Sequence, residues 1–562
     1  MTLDFLSGLT LTLTPLLPPP RTGTGRPAGL PIIARRADNR MTLSPADHDQ
    51  RGRARTVLRR YCPAHVSVRT GPPGGPLARR SAILGLVSSL ARSAGARLPG
   101  QARPSGRTLL IAGAVLLAAT LGGYCAYVLM HLSGGTLNPV DLHVYRLGGR
   151  VVAHVRPRYN PALASPLYDW PGSGLKFTYP PFAATVFTIF VPASWALLPK
   201  LWLGVNVLAL VATIWATLGG LGYRAGLARL GSTLLLAAVL FWTEPVQRTM
   251  YLGQIELVLM ALVMWDLCLP ATRKWQGIGV GVAAGIKLVP LIFVPYLLLT
   301  RRYRQAAVAA AAFVATVLIG FAVLPADSRA WWLDGLMFKA SRTGFTGWEG
   351  NQSLQGLITR LAGSIAAGQP IWIPVAIIVL AAGIGSAVIL DRAGHRVMGI
   401  LACALTGLLV SPISWDHHWV WIVPGVAALV CYAVRVTGWR RWAWLGGAVL
   451  MTGLFGAWPG FLWGQPLDLG GFSEGLIWAP PNTSPGTFAT LGDRPAYAEY
   501  HWRGFQLLVG NLYVLTGLAV LIVIAFIAAR LVMARRRSSP GRGASSGGRT
   551  AGEGRSRWLI SR

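Results

Sequence analysis

The chain has 562 residues, 53% of them hydrophobic and 13% charged, with a mean hydropathy of +0.49 and a formal net charge of +33. Soluble domains carry about 25% charged residues, so this composition excludes an ordinary soluble globular protein and points to a chain embedded in a bilayer. Residues 1–107 hold 17 Arg, no Lys and four Asp, and residues 530–562 hold nine Arg and one Glu, so the two ends carry +13 and +8 of the net charge. Basic runs flanking apolar segments mark the cytoplasmic side and rest on anionic lipid headgroups. Without a folded module or interleaved aromatics they do not read as nucleic-acid binding.

Taken in order, residues 1–107 are rich in Arg, Pro, Gly and Ser. Their two apolar runs, Leu6 to Leu17 and Ser81 to Leu90, fall short of the roughly 20 residues a span needs. The first run has no basic region before it and makes a poor signal peptide. This arm is expected to be disordered, or to precede a true start such as Met41. Residues 531–562 read as a basic, disordered cytoplasmic tail. Of the five cysteines, four fall in apolar segments and only Cys62 lies in the polar arm. They form no disulfide framework and read as small buried hydrophobes.

Between the two ends, the domain 108–530 shows twelve candidate spans: 108–130, 179–198, 200–220, 231–244, 254–270, 276–299, 305–324, 370–390, 396–413, 417–434, 442–463 and 505–529. In hydrocarbon each backbone amide must be satisfied within its own segment, so these are helices. The expected fold is an all-α polytopic membrane protein with ten to twelve transmembrane helices and outward-facing loops. The Lys/Arg rule puts Arg301 to Arg304, Arg392 to Arg396, Arg435 to Arg441 and the Arg535 tail in the cytoplasm, leaving connections 131–178, 325–369 and 464–504 outside. One conflict follows: twelve crossings put Arg224, Arg229, Arg273 and Lys274 outside too. Either those connections break the rule, or 231–244 and a neighbour are re-entrant.

Ionisable groups at membrane depth are costly and default to functional hypotheses. Four clusters stand out. Asp141, His143 and Tyr145 follow the first span, within Asn138-Pro139-Val140-Asp141-Leu142-His143-Val144-Tyr145. A carboxylate there suits a general base for a sugar hydroxyl, or it caps a short interfacial helix, Leu142 to His154. Phe177-Thr178-Tyr179-Pro180-Pro181-Phe182 gives the next span a rigid start, and Tyr179 is a candidate ligand contact. Gln254 and Glu256, with Lys287 about thirty residues on, read either as a structural ion pair or as a site where a mobile ammonium neutralises a lipid phosphate. Ser411 to Trp419 brings Trp415, Asp416, His417 and His418 into a short connection. Carboxylate and imidazole suit a divalent metal, but no third ligand follows at fixed spacing, so hydrogen bonds to phosphate or sugar are preferred and no cofactor is expected. Asn351 and Arg360, in an outward loop, are candidates to meet the acceptor. Phosphate-loop, dinucleotide, nucleophile-elbow and zinc-protease motifs are all missing.

Five pieces in this order resemble the actinobacterial glycosyltransferase family 87: Asp141 to Tyr145, Phe177 to Phe182, Gly253 to Glu256, Gly285 to Pro290 and Ser411 to Trp419. The resemblance covers about 108–530, and Glu256 stands where family members often carry Asn. It implies a GT-C fold and a polyprenyl-phosphate-mannose donor at the outer face of the cytoplasmic membrane. The implied acceptor is a mannan or phosphatidylinositol mannoside, and the implied transfer is inverting, giving an α-(1,2) linkage. Carried over, Asp141 is the base, Lys287, His417 and His418 offset charge on the departing phosphate, and Tyr145 and Tyr179 border the sugar. The alternatives are a flippase for lipid-linked sugars, built on Glu256 and Lys287 in broken helices, and a related enzyme using another polyprenyl-phosphate sugar.

Overall fold

The computed structural model describes residues 104–131, 139–155, 167–168, 175–268, 273–339, 342–458, 474–480 and 497–537. The basic arm before 104, the tail after 537 and much of connections 131–178 and 464–504 lie outside these residues. Among the described residues the structure is helical, with only isolated bridges and no strand.

In chain order the helices are α1 Gly106–His131, α2 Val140–Val155, α3 Pro181–Val186, α4 Leu198–Gly220, α5 Leu227–Leu240, α6 Glu244–Leu252, α7 Glu256–Cys268, α8 Ile278–Ile286, α9 Phe293–Leu299, α10 Tyr303–Val323, α11 Pro325–Trp332, α12 Leu354–Ala362, α13 Ile365–Arg392, α14 Arg396–Val410, α15 Ile422–Ala433, α16 Trp439–Leu454 and α17 Leu512–Arg537. Stretches within α1, α4, α10, α13 and α17 are each long and apolar enough to cross a bilayer unaided. The α6–α7 pair passes the same test together but bends by 120°. Shorter apolar helices fill the remaining positions.

The bundle is inverted relative to a soluble core. Ile111, Val115, Leu318, Val449 and Ile522 are more than half exposed, whereas Asn206, Thr213, Thr217, Gln247, Gln254 and Glu256 are buried. Apolar side chains facing out and polar ones facing in is the arrangement lipid solvent demands. The chain is a multi-pass membrane protein.

The basic connections gather at one end. Arg304 donates to the Arg273 carbonyl at 3.0 Å, Arg392 to the Leu299 carbonyl at 2.6 Å, Arg535 to the Arg392 carbonyl at 2.9 Å, and Arg435 to the Leu221 carbonyl. Gly220 lies against Cys268 and Val397, which brings the ends of α4, α7 and the start of α14 together there.

Two of the twelve expected spans fold back, which bears on the conflict over Arg224, Arg229, Arg273 and Lys274. Segment 179–198 begins beside Gly320, at the far end of α10, and returns to the same end, where Arg146 of α2 donates to the Ala193 carbonyl at 2.6 Å. Segment 276–299 is a hairpin. Its first arm, α8, runs parallel to α10, with Gly277, Gly281 and Gly285 against Gln305, Ala309 and Thr316. Lys287 then adopts extended backbone, φ −146° and ψ 127°, and a 3-10 turn at Val289–Ile292 leads α9 back to the basic end. Both segments thus double back, and the basic connections named above lie at one end of the bundle. Segment 231–244, suspected of re-entry, forms one continuous helix, α5, packed along α1 with Gly231 against Leu109.

At the opposite end α2 lies along the bundle, and one glycine sets its position. Gly253 closes α6 in the left-handed conformation, φ 70°, and a Cβ there would stand 2.5 Å from Pro139 Cβ and 2.8 Å from Leu142 Cβ. The missing side chain lets the start of α2 press against the 120° bend. Gly253→Ala is therefore expected to cost about 1–3 kcal/mol in backbone strain, read as a lowered thermal midpoint in detergent, with sugar transfer falling alongside it.

Candidate active site

The left-handed turn at Gly253 delivers Gln254 to α2 and to the Tyr-Pro-Pro entry. Gln254 Oε1 accepts from Tyr145 Oη at 2.6 Å and from Tyr179 Oη at 3.2 Å, and the two phenols are 2.8 Å apart. Trp202 Nε1 donates to the Gly253 carbonyl at 2.8 Å and fixes the same turn from α4. Asp141, one turn before Tyr145 on α2, is half-buried. Burial pushes its carboxyl above the ordinary carboxylate range, opposed by His417, by the Gln254 hydrogen bond and by Lys287, and reinforced by Glu256. Asp141 thus faces the same interior as the lysine and the paired histidines.

Lys287 sits at the break of the hairpin, where no helical neighbour competes for its ammonium. It pairs with Glu256 Oε1, at the start of α7, and donates to His418 Nε2 at 2.9 Å. His418 Nε2 is 3.2 Å from the same Glu256 oxygen. The ammonium also lies 5.5 Å from the centre of the Tyr179 ring, which joins this cluster to the tyrosine pair. An ammonium has no lone pair, so His418 Nε2 accepts here. Glu256 and Lys287 make an ion pair, as the structural reading of them proposed. The same pair forms the polar head of a groove, so the two readings describe one arrangement.

That groove is about 420 Å³, lined by Leu259, Met260, Val263, Val289, Pro290 and Leu408, with Glu256, Lys287 and His418 at its polar head. Ligand atoms of Glu256, His417 and His418 lie within 4.8 Å of one another. The third metal-type ligand that sequence spacing failed to supply thus comes from a different helix. Lys287 already sits on two of those three atoms, so the cationic position among them is held by an ammonium.

His417 belongs to a second network. Its Nδ1 is 3.0 Å from Asp416 Oδ1, and Asp416 Oδ2 is 3.2 Å from Arg248 Nε. The Arg248 guanidinium lies 4.5 Å from the centre of the Trp478 ring. Behind Asp416 is Glu244, fully buried, accepting from Trp478 Nε1 at 3.1 Å and Tyr513 Oη at 2.8 Å. Glu244 and Arg248 were not singled out in the sequence. The available signal was two charged residues joining apolar segments without a polar loop, at the point where α6 turns.

Four candidates stand elsewhere. His143 is exposed and packs edge-on against Trp195 at 5.2 Å, and burial together with Arg150 and Arg146 lowers its imidazole pKa. Asn351 is a latch: its amide donates to the Thr346 and Pro412 carbonyls at 2.9 and 3.2 Å, and its oxygen accepts from Ser414 N at 2.9 Å. It ties the loop before α12 to the Ser411–Asp416 turn. Trp415 packs beside it against Trp348, with ring centres 5.4 Å apart. Arg360 is buried, with its donors spent on Asn511 Oδ1 at 2.9 and 2.6 Å and on the Trp348 and Asn351 carbonyls at 2.9 and 3.0 Å. Asn351 and Arg360 hold the loop around the site rather than reaching into it.

A family model described as glycosyltransferase family 87 matches residues 177–412. The chain is 34% identical over 360 residues to a polyprenol-phosphate-mannose-dependent alpha-(1-2)-phosphatidylinositol mannoside mannosyltransferase of Mycobacterium tuberculosis, covering 61% of this chain and 81% of that protein. It is 36% identical over 347 residues, 59% of this chain and 76% of the relative, to a pentamannoside mannosyltransferase of the same donor dependence from M. tuberculosis. A phosphatidylinositol mannoside mannosyltransferase of Mycolicibacterium smegmatis is 31% identical over 432 residues, 72% of this chain and 91% of its own length. No solved structure matches. The protein is a membrane-embedded glycosyltransferase. The chain belongs to glycosyltransferase family 87.

Arg360→Ala leaves Asn511 and the Gly347, Trp348 and Asn351 carbonyls without their donor. It is expected to lower stability by roughly 2–4 kcal/mol, with the KM of the molecules that remain folded unchanged. Detergent melting together with steady-state kinetics checks this.

Proposed function

We propose that this protein transfers a mannosyl group from a polyprenyl-phosphate donor to a hydroxyl of a mannoside lipid, at the outer face of the membrane and with inversion. The observation carrying the proposal is Lys287, held by Glu256 and His418 at the polar head of an apolar groove, with His417, Lys287 and Glu256 all acting on the nearby Asp141 carboxyl. A prenyl chain requires an apolar wall within the bilayer, and its phosphate requires a cation at the wall's end. Lys287 is a compact, mobile ammonium that meets that need.

In the reaction the acceptor oxygen bonds to the anomeric carbon while the bond from that carbon to the phosphate oxygen breaks. The electron pair leaves with the phosphate and the hydroxyl proton passes to Asp141. Asp141 acts as base, and its raised affinity for a proton makes it a stronger one than an exposed aspartate. Charge grows on the leaving phosphate, where Lys287, held by Glu256 and His418, is a fixed cation that needs no reorganisation. Tyr145 and Tyr179, joined through Gln254, form the wall beside the sugar. The α-(1,2) linkage and the phosphatidylinositol mannoside acceptor follow the named activities of the relatives. The outer location follows from the Lys/Arg rule, because the site lies at the end away from Arg302, Arg392, Arg435 and Arg535.

Asp141→Asn is expected to fold normally and to lose about 10²–10⁴-fold in transfer from labelled polyprenyl-phosphate-mannose. Full activity in that variant would overturn the assignment. The base works only when ionised and its pKa is raised. Activity should therefore fall as pH drops through a value above the usual carboxylate range, so the acidic limb of kcat/KM in nanodiscs is expected to lie higher than an exposed aspartate would give. Lys287→Ala should weaken donor use more than acceptor use, measured as the separate KM values.

A further inference from the structure

The head of the groove holds as much negative charge as positive. Lys287 supplies the cation and Glu256 Oε1 the anion paired with it. His418 Nε2 accepts from the ammonium at 2.9 Å, and an imidazole that accepts there adds no charge. Glu256 is 6% exposed, and its second oxygen, Oε2, is buried without a hydrogen-bond partner among the described residues. A carboxylate in that position repels any anion that comes to the ammonium. An ion pair serving packing alone would enclose both partners. Here the Lys287 side chain keeps 19% of its exposure and lines the groove.

The geometry sets how closely that repulsion is felt. An ammonium has three N–H donors. Glu256 Oε1 and His418 Nε2 take two, which leaves the third for a ligand in the groove. Two oxygens bound to neighbouring donors of one nitrogen stand about 4–5 Å apart. At that range each unit of ligand charge changes its affinity. A prenyl-phosphate-sugar donor is a phosphodiester with one negative charge. Once the sugar has left, the carrier is a phosphate monoester with about 1.5 to 2 negative charges at pH 7. A head with surplus positive charge would hold this product more tightly than the donor. A balanced head does not.

We infer that Glu256 is a specificity-determining counter-charge: held against Lys287, it weakens the site's hold on a prenyl phosphate monoester relative to a prenyl phosphate diester, so that the spent carrier leaves. The inference rests on the proposed reading of the groove as the site of the polyprenyl-phosphate donor. No bond is made or broken at Glu256. The same carboxylate opposes the charge that develops on the phosphate during transfer, so its placement favours product release over the rate of bond breaking.

The test uses two probes with one tail, farnesyl monophosphate and its methyl diester, bound at equilibrium to the full-length protein in nanodiscs. The readout is the Kd of the diester divided by the Kd of the monoester. A general loss of packing moves both constants together and leaves this ratio alone. In Glu256→Gln the ratio is expected to rise about tenfold over wild type, while Glu256→Asp, which keeps the charge, stays within about threefold. A rise of less than threefold in Glu256→Gln overturns the inference. So does an equal rise in Glu256→Asp, or a wild type that binds neither probe. Should the glutamine variant fail to fold, Glu256→Asn removes the same charge and is judged by the same ratio. Binding needs no turnover, so a wild type that shows the expected ratios but transfers no mannose would remove the proposed reaction and not the counter-charge.

Discussion

The structure depends on one part-buried charge, the ammonium of Lys287. Taking an ion out of water costs several kcal/mol even after relaxation, and within a bilayer no solvent offsets that cost. The bundle meets it by breaking the 276–299 segment at Lys287, bringing Glu256 to the start of α7 and placing His418 on the third side. Three separate segments must therefore meet at one point. A turn within the membrane also leaves backbone groups without helical partners, which is tolerated only where protein covers them. The hairpin lies against α10 and beneath the tyrosine pair, which provides that cover.

The same constraint separates two jobs among neighbouring histidines. His418 is committed to Lys287, at the head of the apolar groove, and faces where a lipid-borne anion would end. His417 is committed to Asp416 and turns its free nitrogen the other way. The two residues are adjacent on one short 3-10 turn, with ring planes at 90° and centres 4.7 Å apart. Their perpendicular setting leaves His418 in the Lys287–Glu256 cluster and His417 in the Asp416–Arg248 network. The loop latched by Asn351 and Arg360 holds that turn in place from outside.

The position of Asp141 follows from the turn chemistry at the end of α6. A left-handed residue is needed to reverse the chain by 120°, and only glycine does so while leaving room for Pro139 and Leu142. This single backbone choice presents Gln254 to Asp141, Tyr145 and Tyr179 together. Loss of the turn would separate the carboxylate from the lysine without altering either side chain.

The sequence by itself determined the all-helical membrane class, the charge segregation and the residues out of place in lipid. These are properties of composition and local apolar runs, and hydrocarbon leaves little freedom in how they fold. Asp141, Tyr145, Tyr179, Gln254, Glu256, Lys287 and the His417–His418 pair were all legible for that reason: each is a polar group where lipid penalises one. Only the tertiary structure decided which apolar runs cross. A run of about twenty residues has the length to span whether it spans or folds back, and segments 179–198 and 276–299 fold back because proline or lysine breaks their hydrogen-bond ladders. It also decided that Asn351 and Arg360 are latches, that His143 faces outward, and that Glu244 stands behind Asp416. Those outcomes depend on contacts between residues as much as 269 positions apart, which no local pattern encodes.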